Sequence, residues 1–291
     1  MDPDFRPDFR IVHPTDFSAP SETAFVHALR LALAARAELD LLHVSAEDGE
    51  PDWTEFPGIR RTMHRWGLLP EGAPPSAVGE RGIRVGKIVA VDRDPARAAL
   101  DYVKGHATEV VVLATHQRHG VDRWLHRATA EPVAREAGTM TLFIPASGTG
   151  FVSPDTGEVS LQRILVPVDH TPEPHAALET VEALVKGLGC PGGTARLQHI
   201  GEDEMPQMRM PDPGSCLWER SLRGGNAVDQ ILATASAWPA DLIVMTTQGH
   251  VGVLDALRGS TTERVLRQAP CPVLAVPAGS RAMRRLFLRP S

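Results

Sequence analysis

Two stretches of this chain carry residue types suited to holding an anion. The first is Pro167-Val168-Asp169, which closes an apolar run and opens a polar turn. The second begins at Thr246-Thr247-Gln248-Gly249 and, after nine intervening residues, ends in Gly259-Ser260-Thr261. Glycines allow backbone N–H groups to approach an anion closely. The helical pattern that starts near Ser260 would turn free N–H groups and a positive dipole end toward the same loop. Gly249, Gly259, Ser260 and Thr261 therefore make a candidate phosphate cradle. Asp169 offers a carboxylate that can accept hydrogen bonds from a ribose or an adenine. A plainer reading stands beside this one: the glycines serve as turn residues, and Ser260 or Thr261 caps a helix with Glu263 completing a capping box.

The elements that must position these residues are written twice. "FRIVHPTDFSAPSETAFVHALRLALAARAELDLLHV" near the start parallels "QRILVPVDHTPEPHAALETVEALVKGLGCPGGTARLQHI" halfway along. Pro14 falls on Pro167, Asp16 on Asp169 and His43 on His199. "DPARAALDYVKGHATEVVVLATH" parallels "GNAVDQILATASAWPADLIVMTTQ", and residues 129–133 fall on 261–265 without a gap. Strands are predicted at 9–13, 39–44, 83–90, 109–115 and 140–144, then at 162–168, 194–200, 215–222, 241–246 and 272–276. They are continuous apolar runs alternating with amphipathic helices, as burial on both faces of a parallel sheet requires. The predicted class is α/β: two tandem Rossmann-like open sheets of five mainly parallel strands with helices on both faces. The domains are 1–149 and 150–291, joined through the Gly, Ser and Pro-rich stretch 145–160. An insertion after the second strand of the first domain, with a short helix at 57–67, is expected to cover a core or an inter-domain surface with Trp53, Phe56 and Trp66.

In such a sheet, ligands sit beyond the carboxyl ends of the strands where strand order reverses. That places Asp169 and the 246–260 loop on one rim. Pro-x-Asp after the first strand, and Gly followed by Gly-Ser after the fourth, resemble the signature of the universal stress protein family. The likeness covers nearly the whole chain as a tandem pair. It implies adenine nucleotide binding, ATP first, by the second domain. Pro167, Val168 and Asp169 would form the Pro-x-Asp element, with Asp169 on ribose or adenine. Ile200 and Met245 would wall the base, and Gly249, Gly259, Ser260 and Thr261 would face phosphates. Thr246 stands where the family has its first glycine, so a side chain occupies a position the signature leaves bare.

The first domain lacks the cradle. Its corresponding residues are Ala114, Gln117, Arg127 and Ala128. Histidines gather there instead: His116, His119 and His126 in the loop, with His13 and Asp16 at the end of the first strand. Imidazoles with a carboxylate suit a transition metal, but the H-x2-H-x6-H spacing matches no standard motif. These five residues are the candidates if a metal binds, and no metal is expected. His43 and His199 read as strand-end core residues.

The 291 residues carry a net charge of −6 and are 42% hydrophobic. That balance gives no electrostatic footprint for nucleic acid. No apolar run reaches membrane-spanning length, and a cytoplasmic location is expected. Cys190, Cys216 and Cys271 are scattered and no pair has metal or redox spacing, so no disulfide framework is expected, and Cys190, in "GLGCPGG", reads as a surface thiol in a turn. No nucleophile elbow, HExxH or complete Walker lysine loop occurs. The chain reads as a nucleotide-binding stress or regulatory protein. The alternatives are a slow nucleotide hydrolase or metal-dependent phosphohydrolase, and a scaffold that binds no nucleotide. An intramolecular pseudo-dimer that pairs the two last strands is expected, and a homodimer of chains is compatible with it.

Overall fold

The structure is a computed structural model that describes residues 6–49, 51–115, 139–146, 148, 150–211, 214–248 and 261–280. In chain order the first half contains β1 (Arg6–Pro14), α1 (Ala19–Ala35), β2 (Ala37–Ser45), α2 (Ile59–Arg65), α3 (Ser76–Gly79), β3 (Arg84–Val91), α4 (Pro95–Gly105), β4 (Val110–Thr115) and β5 (Met140–Pro145). The second contains β6 (Arg163–Val168), α5 (His175–Leu188), β7 (Thr194–Ile200), β8 (Leu217–Arg223), α6 (Ala227–Ala237), β9 (Leu242–Thr247), α7 (Thr261–Gln268) and β10 (Val273–Pro277). Local sequence sets the helix starts. Ser18 accepts from the Ser21 amide, Asp94 from Ala96 and Arg97, and Asn226 from Val228 and Asp229. Asp94 and Asn226 hold the same place in the two copies, and each satisfies N–H groups that the first helical turn leaves free.

The ten strands form one sheet, in the order β3-β2-β1-β4-β5-β10-β9-β6-β7-β8. Two open sheets with their last strands paired were expected; that pairing is present and makes the two sets of five a single continuous sheet. β5 and β10 pair antiparallel, Val273 with Phe143, Leu274 with Leu142 and Ala275 with Thr141. Every other pairing is parallel. The gapless register that lays Thr129 on Thr261 also lays Leu142 on Leu274. The central pair of this ladder therefore joins equivalent residues of the two copies, as a two-fold contact requires. In the second half both faces are covered: Leu242 and Val244 join the core shared with α5, while Ile243 and Met245 point to the core under α6 and α7.

The two copies handle charge differently at one cross-strand site. Buried Asp40 on β2 takes Arg10 at 2.5 Å and the Tyr102 hydroxyl at 2.8 Å. Gly86 opposite it has no side chain, and a β-carbon there would stand 2.5 Å from the carboxylate. The matching pair in the second copy is Arg196 opposite Glu219, bonded at 2.9 Å, with Arg196 lying over the Trp238 ring.

The stretch between the halves is packed. Val152 and Val159 bridge, the Ser153 amide donates to Glu158, and Phe151 is buried. His27 of α1 holds this turn: its Nδ1 faces the Thr23 carbonyl, and its Nε2 accepts from the amides of Phe151 at 3.0 Å and Val152 at 3.2 Å. Gly150, at φ +71°, has no room for a β-carbon against this ring. Of the insertion aromatics, Phe56 and Trp66 are buried and Trp53 is half exposed. The Trp66 indole N–H donates to the Pro154 carbonyl at 3.1 Å, so the insertion ties to the inter-domain turn.

An Nε2 that accepts two amide bonds must be unprotonated, and burial pushes His27 down to about 4; His13, also fully buried, is pushed down to about 4 by the same cause. Between the ordinary value of 6.5 and about 4, the unfolded chain binds protons that the folded chain refuses. Stability is thus full above 6.5 and falls as pH drops, by about 3 kcal/mol for each histidine once pH passes below the folded value. Urea unfolding at pH 7.5 and 4.5 measures this. His27→Gln, with no titrating ring, should reduce the difference by roughly 2 to 3 kcal/mol.

Candidate functional site

Strand order reverses between β6 and β9: the chain runs from β6 outward through β7 and β8, then returns to β9 on the other side. Pairing of β6 with β9 holds at Ile164 with Leu242 and Leu165 with Ile243, and ends there. Pairing of β6 with β7, by contrast, continues to Val168 with His199. The carboxyl ends of β6 and β9 therefore part, leaving a crevice from which Asp169 and the end of β9 emerge. Asp169 is exposed, and one of its oxygens accepts the His170 amide at 2.7 Å. Val168 is buried and Pro167 half-buried. Ile200, at the end of β7, packs on the same apolar cluster as Met245. The two residues expected to wall a base thus lie on one face of the sheet. The Thr246 hydroxyl is buried and, among the described residues, has no hydrogen-bond partner.

Thr261 is exposed at the first turn of α7. Glu263 is buried and paired with Arg267 one turn on. Gly249, Gly259 and Ser260 lie outside the described residues. Beside Asp169 a cleft of about 480 Å³ is lined by His170, Glu173, His175, Met205 and Arg209 among others. A larger cleft of about 790 Å³ lies between the insertion and β3, with Arg60, Arg61, Arg84 and Lys87 in its wall.

A polar cluster that sequence reasoning missed stands on the same rim. His199 is buried, and its Nδ1 bonds the Val168 carbonyl at 3.0 Å. Its Nε2 lies 3.0 Å from Asp203 Oδ1, and His170 Nε2 lies 3.0 Å from Asp203 Oδ2. Against the penalty of burial, the Asp203 bond holds His199 above its ordinary value, and the same bond holds the Asp203 carboxyl below its own. Gly201 makes this possible, because a β-carbon there would stand 3.0 Å from His199 Nε2 and closer still to Asp203. The reading of His199 as a strand-end residue holds for its position. Its partners come from loops, and no motif spacing marks them.

The universal stress protein family model matches residues 9–145 and 213–277. The chain belongs to the universal stress protein family. A universal stress protein of Methanocaldococcus jannaschii is 46% identical over 52 residues, which are 18% of this chain and 31% of that protein. One of Thermus aquaticus is 44% identical over 52 residues, 18% of this chain and 38% of the relative. These alignments span only about a third of either relative. Among solved structures, a universal stress protein of Archaeoglobus fulgidus superposes with a TM-score of 0.61 at 21% identity, covering 94% of this chain and all of that one. A protein of unknown function from Pseudomonas aeruginosa PAO1 gives 0.53 at 15% identity, covering 96% and 95%. Identities this low establish the shared fold alone.

The first universal stress domain has the same crevice, with β1–β4 pairing limited to Ile11 with Val110 and Val12 with Val111. Its rim is filled differently. His43 Nδ1 bonds the Thr15 carbonyl at 3.0 Å, as His199 bonds Val168 in the twin. Phe17, the counterpart of His170, stacks on His43 at 4.2 Å, and Phe56 from the insertion packs edge-on against Phe17 at 5.1 Å. Aromatic packing stands where the second domain has a carboxylate between two imidazoles. The histidine and aspartate named there as metal candidates do not present a joint site among the described residues. His13 is buried with Nδ1 on the Val112 carbonyl and Nε2 on Ser21, while Asp16 accepts from the Ser18 amide and hydroxyl. His116, His119 and His126 lie outside the described residues.

Cys190 is buried rather than a surface thiol, because the turn after α5 folds it back under Val159. Burial pushes Cys216 up to about 11 and Cys271 up to about 12, and raises Cys190 as well. Thiolates are the reactive form, so none of the three suits a nucleophile. With a thiol-specific chromogenic disulfide at pH 8, the native protein should react at least a hundredfold more slowly than protein in guanidinium, where all three titrate. A fast native thiol would contradict this burial.

Proposed function

We propose that the second domain binds an adenine nucleotide, ATP foremost, and that the protein acts through this binding rather than through turnover. The observation that carries the reading is the early end of β6–β9 pairing. It opens a crevice at the switch point of a parallel sheet, where such folds place ligands. Three features fit a nucleotide there. Ile200 and Met245 supply an apolar wall for a base. Asp169 keeps acceptor capacity for ribose or adenine. The Thr246 hydroxyl is a buried polar group that a ligand could satisfy. The phosphates fall to Gly249, Gly259, Ser260 and Thr261 on the family signature in the sequence. The first domain carries aromatic packing at its rim, and its sequence has Gln117, Arg127 and Ala128 where the cradle residues would stand, so one nucleotide per chain is the expected stoichiometry.

Calorimetric titration with ATP, ADP and AMP tests the proposal. Asp169→Ala should weaken ATP at least tenfold. Gly259→Asp should abolish binding through clash and charge repulsion, with the circular dichroism spectrum unchanged. At a hundredfold excess over Kd, ATP should add about 2.7 kcal/mol to stability. No binding and no thermal shift at millimolar ATP would overturn the reading and leave a scaffold whose site Thr246 closes. ADP released in an Asp169-dependent manner would replace it with slow hydrolysis.

A further inference from the structure

We propose that His170, His199 and Asp203 form a binding site for a first-row transition metal ion of the zinc type. The proposal is independent of the nucleotide reading, since it concerns the ion alone. One donor atom from each residue lies within 4.8 Å of the others. Donors around a tetrahedral zinc ion, at bonds of about 2.0–2.1 Å, stand roughly 3.3 Å apart. Asp203 already meets each imidazole at 3.0 Å, Oδ1 facing His199 and Oδ2 facing His170, so the carboxylate lies between both nitrogens and the three donors close onto one ion by a shift of about an ångström. An ion entering between these three groups would replace the proton between His199 and Asp203 and would take His170 Nε2 from the Glu204 carbonyl, 3.1 Å away.

The surroundings are arranged as a metal ligand's would be. The Nδ1 of His199 is engaged by the Val168 carbonyl, which fixes the ring and leaves Nε2 as the coordinating atom. His199 is anchored in the sheet at 2% side-chain exposure, whereas His170 and Asp203 are 52% and 60% exposed and give the ion an entry path. Two imidazoles and one carboxylate match zinc and its neighbours. Magnesium and calcium take oxygen ligands throughout. Three protein ligands leave a fourth position open to water or another ligand, as in sites that do more than hold a fold together. The three ligands stand on the same rim as Asp169, the residue before His170.

The twin domain supplies a built-in control. There the same backbone support, His43 on Thr15, presents an imidazole to Phe17 instead of a second histidine. His170→Phe therefore copies a pair that the fold already accommodates.

The test is calorimetric titration of full-length, chelator-stripped protein with Zn²⁺ at pH 7.5, comparing wild type with His170→Phe and Asp203→Asn. The expected result is a saturable event of one ion per chain that each substitution weakens at least tenfold. The melting temperatures of the metal-free proteins should stay within a few degrees. In a parallel measurement, Co²⁺ should broaden the His199 ring resonances of wild type at substoichiometric amounts and spare those of His43. Isotherms identical in all three proteins would overturn the proposal, as would the absence of saturation up to millimolar Zn²⁺. Broadening spread evenly over the histidines would do so too.

Discussion

The architecture depends on the antiparallel contact between β5 and β10. Each set of five strands ends in a run that is buried at every position, Met140–Pro145 and Val273–Pro277, and apolar throughout except at Thr141. A strand of that kind cannot stand at a sheet edge, where unpaired N–H and C=O groups and an apolar surface would invite aggregation. Placing the two runs against each other removes both edges at once. The edges that remain, β3 and β8, are only partly buried and carry charged residues such as Arg84, Lys87, Glu219 and Arg220. Because the central pair is Leu142 with Leu274, the contact is self-complementary. Two linked copies can therefore make it without evolving two different surfaces.

This arrangement explains why the link between the halves is packed. Once β5 and β10 pair, α1 and α5 lie side by side on one face, and the connecting turn must cross that face to reach β6. His27 meets it there with a single lone pair serving two amides, and Trp66 closes over it from the insertion. The insertion thus serves two places in the first domain: Trp66 braces the link, and Phe56 packs on Phe17 and His43 at the rim.

The inner strands β4, β5, β6, β9 and β10 were legible as mainly apolar runs, the charged edge strands β3 and β8 less so, and all ten predicted segments overlap observed ones. Their fusion into one sheet was legible only as a pairing of last strands, since nothing in either run states whether a partner comes from the same sheet. Asp169 and the end of β9 could be placed on one rim from order alone, because parallel crossovers leave little freedom. The His170–His199–Asp203 cluster could not. It depends on the chain turning back at Gly201 within a few residues of His199, and the sequence there, Gly-Glu-Asp-Glu, looks like any acidic loop. The histidines that did attract notice were the clustered ones, yet His13 proves to be a core residue whose two nitrogens are both engaged. The dense cluster itself, His116, His119 and His126, lies outside the described residues, while the cluster that is described forms by convergence of His199 at a strand end with His170 and Asp203 from loops.

A comparison of equivalent positions shows where the second copy departs from what stability alone would favour. Thr246 corresponds to Ala114, a fully buried methyl in the first half. A buried hydroxyl without a partner costs about 1–3 kcal/mol, and an alanine at the same place costs none of that. His170 corresponds to Phe17, which gains stacking and loses no hydration. At both positions the first copy carries the apolar solution, on the same backbone and with the same crevice. The sheet therefore does not demand the polar residues of the second copy. Polar groups that a fold can do without are the ones expected where a ligand binds.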